Sequence, residues 1–416
     1  MAEQNQTPLA ESIHIVLAGI TNAGKSSLLN AVFQKDIAVV SAQSGTTTDP
    51  VTRKIELGAL GPCSVTDTAG LDDTSFLCGE RIKKSEERIF SADFVLIASP
   101  CDRPLCECEK ILVDSLNQKN IKSFGVLTFA DKADEQILFQ KKEFFLKNKI
   151  DFVEVDLKNI QSAQIEKFLQ TIENFIEKSL SSIKNELTPV QGIVREGQTV
   201  ILVTPIDSAA PKGRLILPQV ETIRDLLDKN CSALVVKPEG LCDLYKSLNS
   251  PPDLVITDSQ AFKEVAQILP KEQPLTSFSI LFARKKGDIS YFLKSLSALK
   301  NFPKDGTILI MEACSHHRQE DDIGTAKIPA ILKTKFGNKI QIIHSRQIPT
   351  DFLQGDKKID LVIHCGACMI TRNVMQQRIN SFKEAKIPVL NYGLFLAWAN
   401  GLFPRAIQVL PAQERI

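Results

Sequence analysis

A short segment near the amino end has the residue types and spacing that bind phosphate. Residues 19–26 read Gly-Ile-Thr-Asn-Ala-Gly-Lys-Ser and fit the phosphate-loop pattern G-x-x-x-x-G-K-[ST]. The apolar run before them predicts a strand at 13–18, and the stretch after them predicts a helix at 25–35. Gly19 and Gly24 lack a Cβ, so the backbone N–H groups of the loop can close around a phosphate. This strand–loop–helix context favours a phosphate site over a chance match.

Side chains within this loop predict a metal-assisted triphosphate site. Lys25 is expected to contact the β- and γ-phosphates, and the hydroxyl of Ser26 is expected to hold Mg²⁺. Ser27 follows directly, and we include it among the residues that contact the nucleotide. The loop therefore predicts a protein that binds a nucleoside triphosphate together with Mg²⁺.

A threonine-rich loop follows the first predicted helix. Residues 45–49 read Gly-Thr-Thr-Thr-Asp, and a threonine here can bind Mg²⁺ and close over the γ-phosphate. Thr47 is our candidate, with Thr46 and Thr48 as alternatives. A solvated loop rich in threonine is an equally good interpretation of this segment taken alone.

An aspartate and a glycine follow the next predicted strand, at 63–66. Asp67-Thr68-Ala69-Gly70 fits the pattern D-x-x-G, which is weak by itself but strong after a phosphate loop and at the end of a strand. Asp67 is expected to hold Mg²⁺ through a water, and the N–H of Gly70 is expected to sense the γ-phosphate. Lys25, Thr47, Asp67 and Gly70 are therefore the predicted catalytic residues.

The segment expected to recognise the base departs from the usual pattern N-K-x-D. The chain has Asp131-Lys132-Ala133-Asp134 after a predicted strand at 123–128. Asp134 can accept two hydrogen bonds from guanine, and the stem of Lys132 can cover the base. Asp131 stands where an asparagine is usual and loses an amide donor, so the strictness for guanine stays open.

A second constellation, of cysteine and histidine, lies near the carboxyl end of the chain. Two candidates follow a predicted strand at 307–311 and three follow one at 360–363; they are Cys314, His316, His364, Cys365 and Cys368. Loops at the carboxyl ends of strands in an open α/β sheet are the usual place for a ligand site. The C-x-x-C spacing lets two thiolates reach one metal centre, and Gly366 is expected to permit the tight turn.

Three thiolates with one further ligand fit two kinds of centre. A structural zinc site is closed and tetrahedral, whereas a 4Fe–4S cluster with three cysteines leaves one iron with a different or exchangeable ligand. The candidates for that fourth position are His316, His364, Glu312 and Glu320. Spacing alone does not distinguish zinc from iron and sulfur.

Strand-like and helix-like segments alternate along the chain, which predicts an α/β fold with mostly parallel sheets. Two polar or proline-rich joints divide it into a first segment at 1–183, a second at 190–270 and a third at 275–416. Further strands are predicted in the first segment at 93–98 and 151–155, in the second at 200–203, 232–236 and 253–256, and in the third at 278–283, 339–343 and 387–391. A predicted helix carries Val220, Ile223, Leu226 and Leu227 on one face.

The composition argues against two classes of protein. Lys and Arg number 50 against 49 Asp and Glu, and aromatic residues are 6%, so neither a basic field nor stacking platforms for nucleic acid are expected. No apolar run approaches the roughly 18 residues that span a bilayer, and no secretory signal is expected. The ten cysteines are scattered through a large chain, which predicts a cytoplasmic protein in a reducing compartment.

The loop Asn-x-Gly-Lys-Ser-Ser, together with Gly-Thr-Thr, resembles the Era/MnmE-like GTPases. This resemblance implies that Asn22 supplies an oxygen to a K⁺ ion beside the phosphates. The alternative, equally favoured, is that Asn22 merely suits the backbone geometry of the loop.

The combination of this GTPase segment with C-x-H…H-C-x-x-C resembles the FeFe-hydrogenase maturation GTPase family HydF, over nearly the whole chain. The resemblance implies a P-loop GTPase domain followed by two smaller α/β domains: a dimerisation domain at 190–270 and an iron–sulfur domain at 275–416. It further implies a 4Fe–4S cluster on three cysteines, matching Cys314, Cys365 and Cys368, with a labile fourth iron site.

The same resemblance implies a function and partners. A homodimer, or a higher oligomer, would act as a GTP-hydrolysing scaffold that receives a di-iron precursor from the radical-SAM maturases HydE and HydG. It would deliver the di-iron subcluster to apo FeFe-hydrogenase. The alternatives are an Era-like GTPase associated with the ribosome or RNA and carrying a structural zinc domain, and a switch that senses redox state through the cluster.

Overall fold

The computed structural model describes most of the chain and divides it into two compact units. The described residues are 12–33, 41–43, 52–57, 61–68, 70–71, 86, 88–156, 162–180, 187–206, 215–313, 322–349 and 358–415. Unit 1 comprises residues 1–185, and unit 2 comprises residues 186–416. Within the described ranges, no helix combines the length and the apolar character needed to cross a lipid bilayer.

Unit 1 contains a seven-stranded sheet in its described residues. The strands are β1 (Ile13–Gly19), β2 (Ser41–Gln43), β3 (Thr52–Leu57), β4 (Gly61–Asp67), β5 (Phe94–Pro100), β6 (Lys122–Thr128) and β7 (Phe152–Val155). They are ordered β2-β3-β4-β1-β5-β6-β7, with β2–β3 and β3–β4 antiparallel and the other neighbours parallel. The helices are α1 (Lys25–Phe33), α2 (Glu107–Gln118), α3 (Glu135–Lys147) and α4 (Ser162–Leu180).

Both faces of this sheet are covered, because its central strands are apolar along their length. Every residue of β5 is buried. Phe94 packs in a cluster with Ile172 and Ile176 of α4, whereas Ile97 packs in a cluster with Val113 of α2. The phosphate loop begins at the end of one of these largely apolar strands, β1.

Unit 2 contains two parallel sheets of four strands each among its described residues. The middle sheet, ordered β11-β10-β8-β9, consists of β8 (Thr199–Val203), β9 (Ser232–Val236), β10 (Leu254–Thr257) and β11 (Leu275–Ser277). The C-terminal sheet, ordered β13-β12-β14-β15, consists of β12 (Thr307–Met311), β13 (Gln341–Ser345), β14 (Leu361–His364) and β15 (Val389–Asn391). The helices are α5 (Leu217–Asp228), α6 (Leu241–Ser247), α7 (Phe262–Ile268), α8 (Phe278–Lys286), α9 (Ile289–Ser295), α10 (Ser297–Lys300), α11 (Ile328–Phe336), α12 (Arg372–Glu384) and α13 (Tyr392–Ala399).

One apolar core joins the two sheets of unit 2. Val203 of the middle sheet and Val362 of the C-terminal sheet belong to the same cluster of buried residues, together with Ile280 of α8. The same helix places Leu281 in a second cluster, which contains Leu202 of the middle sheet. Helix α8 is therefore surrounded by apolar side chains and belongs to the cores of both sheets.

The α/β fold class is confirmed, and so are most of the predicted strands. One strand, at 278–283, is wrong because these residues form α8, whose first turn begins with the Ser277 hydroxyl accepting a hydrogen bond from the N–H of Ile280 at 3.3 Å. A helix buried on all sides has no polar face, so its sequence reads like a short buried strand. Strands β2 and β3, at the antiparallel edge of the unit 1 sheet, were not predicted.

The three predicted segments remain a prediction, and the structure adds one observation about their boundary. Strand β11, at the start of the third predicted segment, pairs with β10 of the middle sheet through the register Val255–Leu275. The middle sheet therefore extends past the proline-rich joint that suggested a boundary there.

A buried ion pair links two helices to the centre of the unit 1 sheet. The Lys141 ammonium, on α3, donates to Glu109 Oε1 on α2 at 3.1 Å and to the hydroxyl of Ser99 on β5 at 2.9 Å. The side chains of Lys141 and Glu109 are 0% and 2% exposed. Ser99 in turn donates to Glu109, and Glu109 accepts the N–H of Cys106, so both charges are held in a fully bonded network.

We predict that Lys141→Met lowers the free energy of opening of the β5–α2–α3 region by about 3–5 kcal/mol, because it leaves the Glu109 carboxylate buried without its cation. Hydrogen–deuterium exchange of these amides measures that free energy locally. Lys142→Met is the matched control, since Lys142 pairs with Glu154 at the surface and should cost about 1 kcal/mol or less. Equal exchange in the two variants would contradict the prediction.

Candidate functional site

The predicted phosphate loop connects β1 to α1, and its backbone requires glycine at two positions. A Cβ on Gly19 would lie 2.4 Å from the carbonyl oxygen of Ala98 on β5, so no larger residue fits. Gly24 has a φ of +85°, in the region that favours glycine. Asn22 also adopts a left-handed conformation, with φ of 59°, which asparagine tolerates better than most residues. Asn22 therefore suits the backbone conformation of the loop, and its contact with K⁺ remains a prediction.

Lys25 lies where a phosphate-binding lysine is needed. Its side chain is buried, and its ammonium donates to the carbonyl oxygens of Gly19 at 3.0 Å and Ile20 at 2.7 Å. The cation is thus held over the loop that it is predicted to share with the phosphates. Ser27, which is also predicted to contact the nucleotide, is exposed on the first turn of α1.

Ser26 and Asp67 meet at the ends of α1 and β4, as a shared Mg²⁺ site requires. The Ser26 hydroxyl donates to Asp67 Oδ2 at 2.7 Å. The other oxygen, Oδ1, is buried and has no hydrogen-bond partner among the described residues. Burial raises the pKa of Asp67, while the hydrogen bond from Ser26 and the charge of Lys25 act in the opposite direction. A carboxylate oxygen buried without a donor, beside a hydroxyl, is a donor set that fits Mg²⁺.

Gly70 packs directly against the phosphate loop. A Cβ at this position would lie 2.1 Å from Thr21 Oγ1 and 2.7 Å from the Thr21 nitrogen. The next residue, Leu71, donates its N–H to the carbonyl oxygen of Gly19 at 3.3 Å. The D-x-x-G segment is therefore in contact with the phosphate loop, and Gly70 cannot be replaced without moving one of the two. The predicted role of the Gly70 N–H toward the γ-phosphate remains a prediction.

Thr128, which the sequence analysis missed, ties the predicted base-recognition segment to the phosphate loop. It is the last residue of β6, it is buried, and its hydroxyl donates to the carbonyl oxygen of Ala23 at 2.7 Å. The signal that could have found it is a hydroxyl residue at the carboxyl end of an otherwise apolar strand. The chain then passes through Phe129, with a left-handed φ of 56°, into a 3-10 turn at Ala130–Lys132.

The two candidate aspartates differ in how they are used. Asp134 is the N-cap of α3, and its Oδ1 accepts the N–H of Gln136 at 2.8 Å. Asp131 is exposed in the 3-10 turn, three residues after the end of β6. The Lys132 ammonium lies 5.8 Å from the centre of the Phe129 ring. Both aspartates are thus exposed, and Asp134 in addition caps the helix that follows.

Six of the candidate residues named from the sequence lie outside the described residues. These are Thr46, Thr47, Thr48, Cys314, His316 and Glu320. Their roles remain predictions. Among the residues that the structure does describe, no group of three or more His, Cys, Asp and Glu side chains comes together to hold a metal ion.

The ends of β12 and β14 converge at Cys365. The N–H of Cys365 donates to the carbonyl oxygen of Met311 at 2.9 Å, and the Cys365 sulfur accepts the N–H of Ala313 at 3.1 Å. Ala313 immediately precedes Cys314 in the sequence. A sulfur that accepts a backbone N–H is prepared to carry thiolate charge, so this donor set fits a metal centre with cysteine ligands.

The tight turn of the C-x-x-C segment depends on a residue other than the one predicted. Ala367 has the left-handed φ, 55°, while Gly366 is not in that region. A Cβ on Gly366 would meet only Ser279 Oγ, at 3.6 Å. The interpretation of Gly366 as the residue that permits the turn is therefore wrong. The C-x-x-C spacing does not reveal which of its two central residues takes the left-handed conformation.

His364 lies at the end of β14 with both ring nitrogens engaged. Its Nδ1 lies 2.9 Å from the carbonyl oxygen of Cys365, and its Nε2 lies 3.0 Å from Nη1 of Arg378, so Nδ1 donates and Nε2 accepts. Burial, with the nearby Arg378 cation, lowers the pKa of His364 to about 4. In this arrangement neither nitrogen of this neutral histidine is directed at a metal.

Comparison with protein families matches three consecutive stretches of the chain. Residues 14–130 match a model described as a 50S ribosome-binding GTPase. With the phosphate loop and the Ser26–Asp67 pair on a mostly parallel sheet, this match makes unit 1 a P-loop GTPase domain. Residues 190–287 match the hydrogen maturase F dimerization domain, and residues 290–409 match its tetramerization domain. The last two stretches together cover more than half of the chain, which belongs to the hydrogen maturase F (HydF) family.

Curated relatives named as GTPases are similar to about a quarter of the chain. The tRNA modification GTPase MnmE of Brucella suis (strain ATCC 23445 / NCTC 10510) is 41% identical over 98 residues, which are 23% of this chain and 22% of that protein. MnmE of Brucella anthropi is 36% identical over 109 residues, 26% of this chain and 24% of that protein. The chain thus spans about a quarter of the length of these relatives.

Two solved structures are similar in part. The Era protein of Aquifex aeolicus bound to GDP and AlF4⁻ has a TM-score of 0.33 and 14% identity, covering 61% of this chain and 97% of that one. The G domain of the T. maritima FeoB iron transporter has a TM-score of 0.29 and 18% identity, covering 38% and 96%.

We predict that Gly366→Ala changes the free energy of unfolding of unit 2 by no more than about 0.5 kcal/mol, because the added methyl meets no atom closer than Ser279 Oγ. Ala367→Val, which puts a β-branched residue in the left-handed region, should cost about 1–2 kcal/mol. Thermal unfolding followed by the fluorescence of Trp398, the single tryptophan and a residue of unit 2, measures both. A greater loss for Gly366→Ala than for Ala367→Val would reverse the assignment of the turn.

Proposed function

We propose that the protein is a GTP-hydrolysing scaffold and carrier, which assembles the di-iron subcluster of FeFe-hydrogenase and delivers it to the apo-enzyme. The observation that carries this proposal is the presence of both sites in a single chain of the HydF family. A phosphate loop with its Mg²⁺ pair lies in unit 1, and a cysteine loop bonded to the end of β12 lies in unit 2. The di-iron unit is the cargo, and the nucleotide cycle times its exchange between partners.

In the nucleotide site, each residue has a role that follows from its place. Gly19 and Gly24 shape the loop around the phosphates, and the Lys25 ammonium moves from the loop carbonyls to the β- and γ-phosphates. Ser26 and Asp67 hold Mg²⁺, which when bound neutralises the charge that develops on the transferred phosphoryl group. Thr47 would complete the metal shell, Gly70 would donate to the γ-phosphate, and Ser27 would contact the nucleotide from α1.

Asp134, we propose, recognises guanine and also caps the helix that follows. Guanine presents two donors, N1–H and the 2-amino group, to one carboxylate. Asp134 is exposed, and its Oδ1 accepts the N–H of Gln136, so Oδ2 can accept from the base. The segment begins after Thr128, whose hydroxyl is fixed to the phosphate loop at Ala23. The stem of Lys132 would cover the base, and Asp131 would lie beside it without the amide donor of the usual asparagine.

Asn22 would also bind K⁺ beside the phosphates. Its left-handed backbone places the residue at the outer surface of the loop, where it is exposed. A K⁺ ion there would supply the positive charge that an arginine finger gives in other GTPases.

In unit 2, Cys314, Cys365 and Cys368 would hold a 4Fe–4S cluster. Such a cluster with three protein thiolates offers one iron with an exchangeable ligand, at which a di-iron precursor can attach. Because both ring nitrogens of His364 are engaged, His316 is the better candidate for the labile position. The N–H of Ala313 would stabilise the thiolate of Cys365.

Assembly and partners follow from the family and from an exposed apolar surface. Large hydrophobic side chains are exposed around the edge strand β9 and helix α5; they are Ile206, Leu215, Val220, Leu227 and Val235. Val220 and Leu227 belong to the predicted apolar face of α5, whereas Leu226 on the same helix is buried. We propose that a second copy of the chain covers this surface to form a homodimer. HydE, HydG and apo FeFe-hydrogenase would be its partners in the cytoplasm.

We predict that Cys365→Ser removes most of the iron and sulfide that the full chain binds when reconstituted without oxygen, because it deletes one of three thiolate ligands. Metal and sulfide analysis with EPR of the reduced protein measures this. Cys242→Ser, which changes a half-buried cysteine on α6, is the matched control and should bind as the unaltered chain does. A colourless protein with stoichiometric zinc would contradict the scaffold and favour a structural zinc domain.

We predict that Asp134→Asn weakens GTP binding by at least about tenfold and improves XTP binding, since xanthine has a carbonyl oxygen where guanine has its 2-amino group and so needs a donor there. The helix should be kept, because asparagine caps a helix as well as aspartate does. Asp131→Asn, which introduces the usual asparagine, is the matched control and should keep the preference for GTP. Titration with fluorescent GTP and XTP derivatives measures the affinities, and a phosphate-release assay measures the loss of hydrolysis expected for Lys25→Ala. A switch to XTP that follows Asp131 instead would move base recognition to that residue.

A further inference from the structure

A buried lysine donates hydrogen bonds to the backbone of the cysteine loop, which is the segment between the end of β14 and the start of α12. Lys286 is the last residue of α8, and 4% of it is exposed. Its ammonium donates to the carbonyl oxygens of Ala367 at 3.2 Å, Cys368 at 3.3 Å and Ile370 at 2.8 Å. A lysine ammonium has three N–H donors, so these three carbonyls can use all of them.

The position of this lysine is itself fixed from two directions. Helix α8 lies within the cores of both sheets of unit 2, which prevents it from rotating. At its carboxyl end, Gln376 Nε2 on α12 donates to the carbonyl oxygens of Lys286 at 3.0 Å and Gly287 at 2.9 Å. Helix α12 begins directly after the cysteine loop, with Thr371 as its N-cap. The loop is therefore held between two helices whose ends are bonded to each other.

These contacts set the direction of the peptide planes that carry the cysteines. Between the end of β14 and the start of α12 the loop has no ladder or helix to satisfy its carbonyl groups. Three of them accept from a single ammonium, and buried backbone groups without a partner are costly. The carbonyl oxygen of Ala367 also accepts the N–H of Ile370 at 3.3 Å, so removing the ammonium would leave chiefly the carbonyls of Cys368 and Ile370 to find other partners, and the loop would change conformation.

The ammonium also places a positive charge close to the cysteines. Three thiolates around an iron–sulfur cluster give it a net negative charge, which increases by one when the cluster is reduced. The buried ammonium of Lys286, which is hydrogen-bonded to this loop, offsets the negative charge of the cluster more strongly than a surface lysine would, because little water lies between the two charges.

We infer that Lys286 is the positioning residue for the cluster site: it holds the loop of Cys365 and Cys368 in the conformation that accepts the cluster and favours the reduced state of that cluster. This inference rests on the proposed cluster, but the conformation of the loop can be tested in the metal-free protein.

The first experiment uses the metal-free full chain and the thiol reagent iodoacetamide. Lys286→Met is expected to raise the alkylation rate of Cys365 and Cys368 by at least roughly tenfold, because charged hydrogen bonds to the loop are lost. Lys286→Arg, which keeps the charge and the donors, should restore most of the protection. Lys285→Met removes the same charge one residue away, where Lys285 pairs with Glu221, and should leave the rate unchanged. Peptide mass spectrometry reports each cysteine separately.

The second experiment uses protein reconstituted with iron and sulfide. An EPR-monitored redox titration is expected to place the cluster of Lys286→Met at a more negative potential than that of the unaltered chain or of Lys285→Met. Equal alkylation rates and equal potentials in Lys286→Met and the unaltered chain would overturn the inference. So would a lower melting temperature with unchanged loop reactivity, which would make Lys286 a residue of the core only. If the unaltered chain takes up no iron, the proposed function fails, and the alkylation rates still decide the role of Lys286.

Discussion

The rest of the structure depends on the burial of parallel strands on both faces. In each of the three sheets the central strands are largely apolar, and the polar side chains of the candidate sites lie where a strand ends. Ser26 and Asp67 meet after β1 and β4, Thr128 ends β6, and Cys365 follows β14. Because all parallel strands of a sheet end at one edge, side chains that are distant in sequence come together there. The nucleotide site and the cysteine loop are thus two uses of the same arrangement.

A second feature common to the two units is that buried lysine ammonium groups donate hydrogen bonds to backbone or carboxylate oxygens. Lys25 lies over the carbonyls of the phosphate loop, Lys141 joins two helices to β5, and Lys286 holds the cysteine loop. Removing an ammonium from water is costly, so each is retained only where several oxygens surround it. In unit 1 the ammonium of Lys25 is a positive charge that can bind a phosphate. In unit 2 the ammonium of Lys286 fixes the conformation of the cysteine loop.

Local pattern predicted the fold class, the P-loop GTPase domain and most of the strands of the three sheets. It failed where tertiary context decides. Helix α8 looked like a strand because burial removes the polar face on which the helical period is read. Gly366 looked like the turn residue because glycine is the usual choice, yet Ala367 has the left-handed backbone. Lys286 carried no signal at all, since only the fold brings residue 286 against residues 367–370. The engagement of both His364 nitrogens was hidden for the same reason, because Arg378 is supplied by another helix.

Helix α8 has a consequence for how the two sheets of unit 2 can be treated. The dimerization and tetramerization stretches abut directly after this helix, between residues 287 and 290. A fragment that ended there would keep the helix but lose the strands of the C-terminal sheet that share its apolar cluster, and would expose the Ile280 side chain to water. Residues 186–416 form one compact unit although two family models divide it. A cut in the peptide between the two stretches would therefore pass through a shared apolar core.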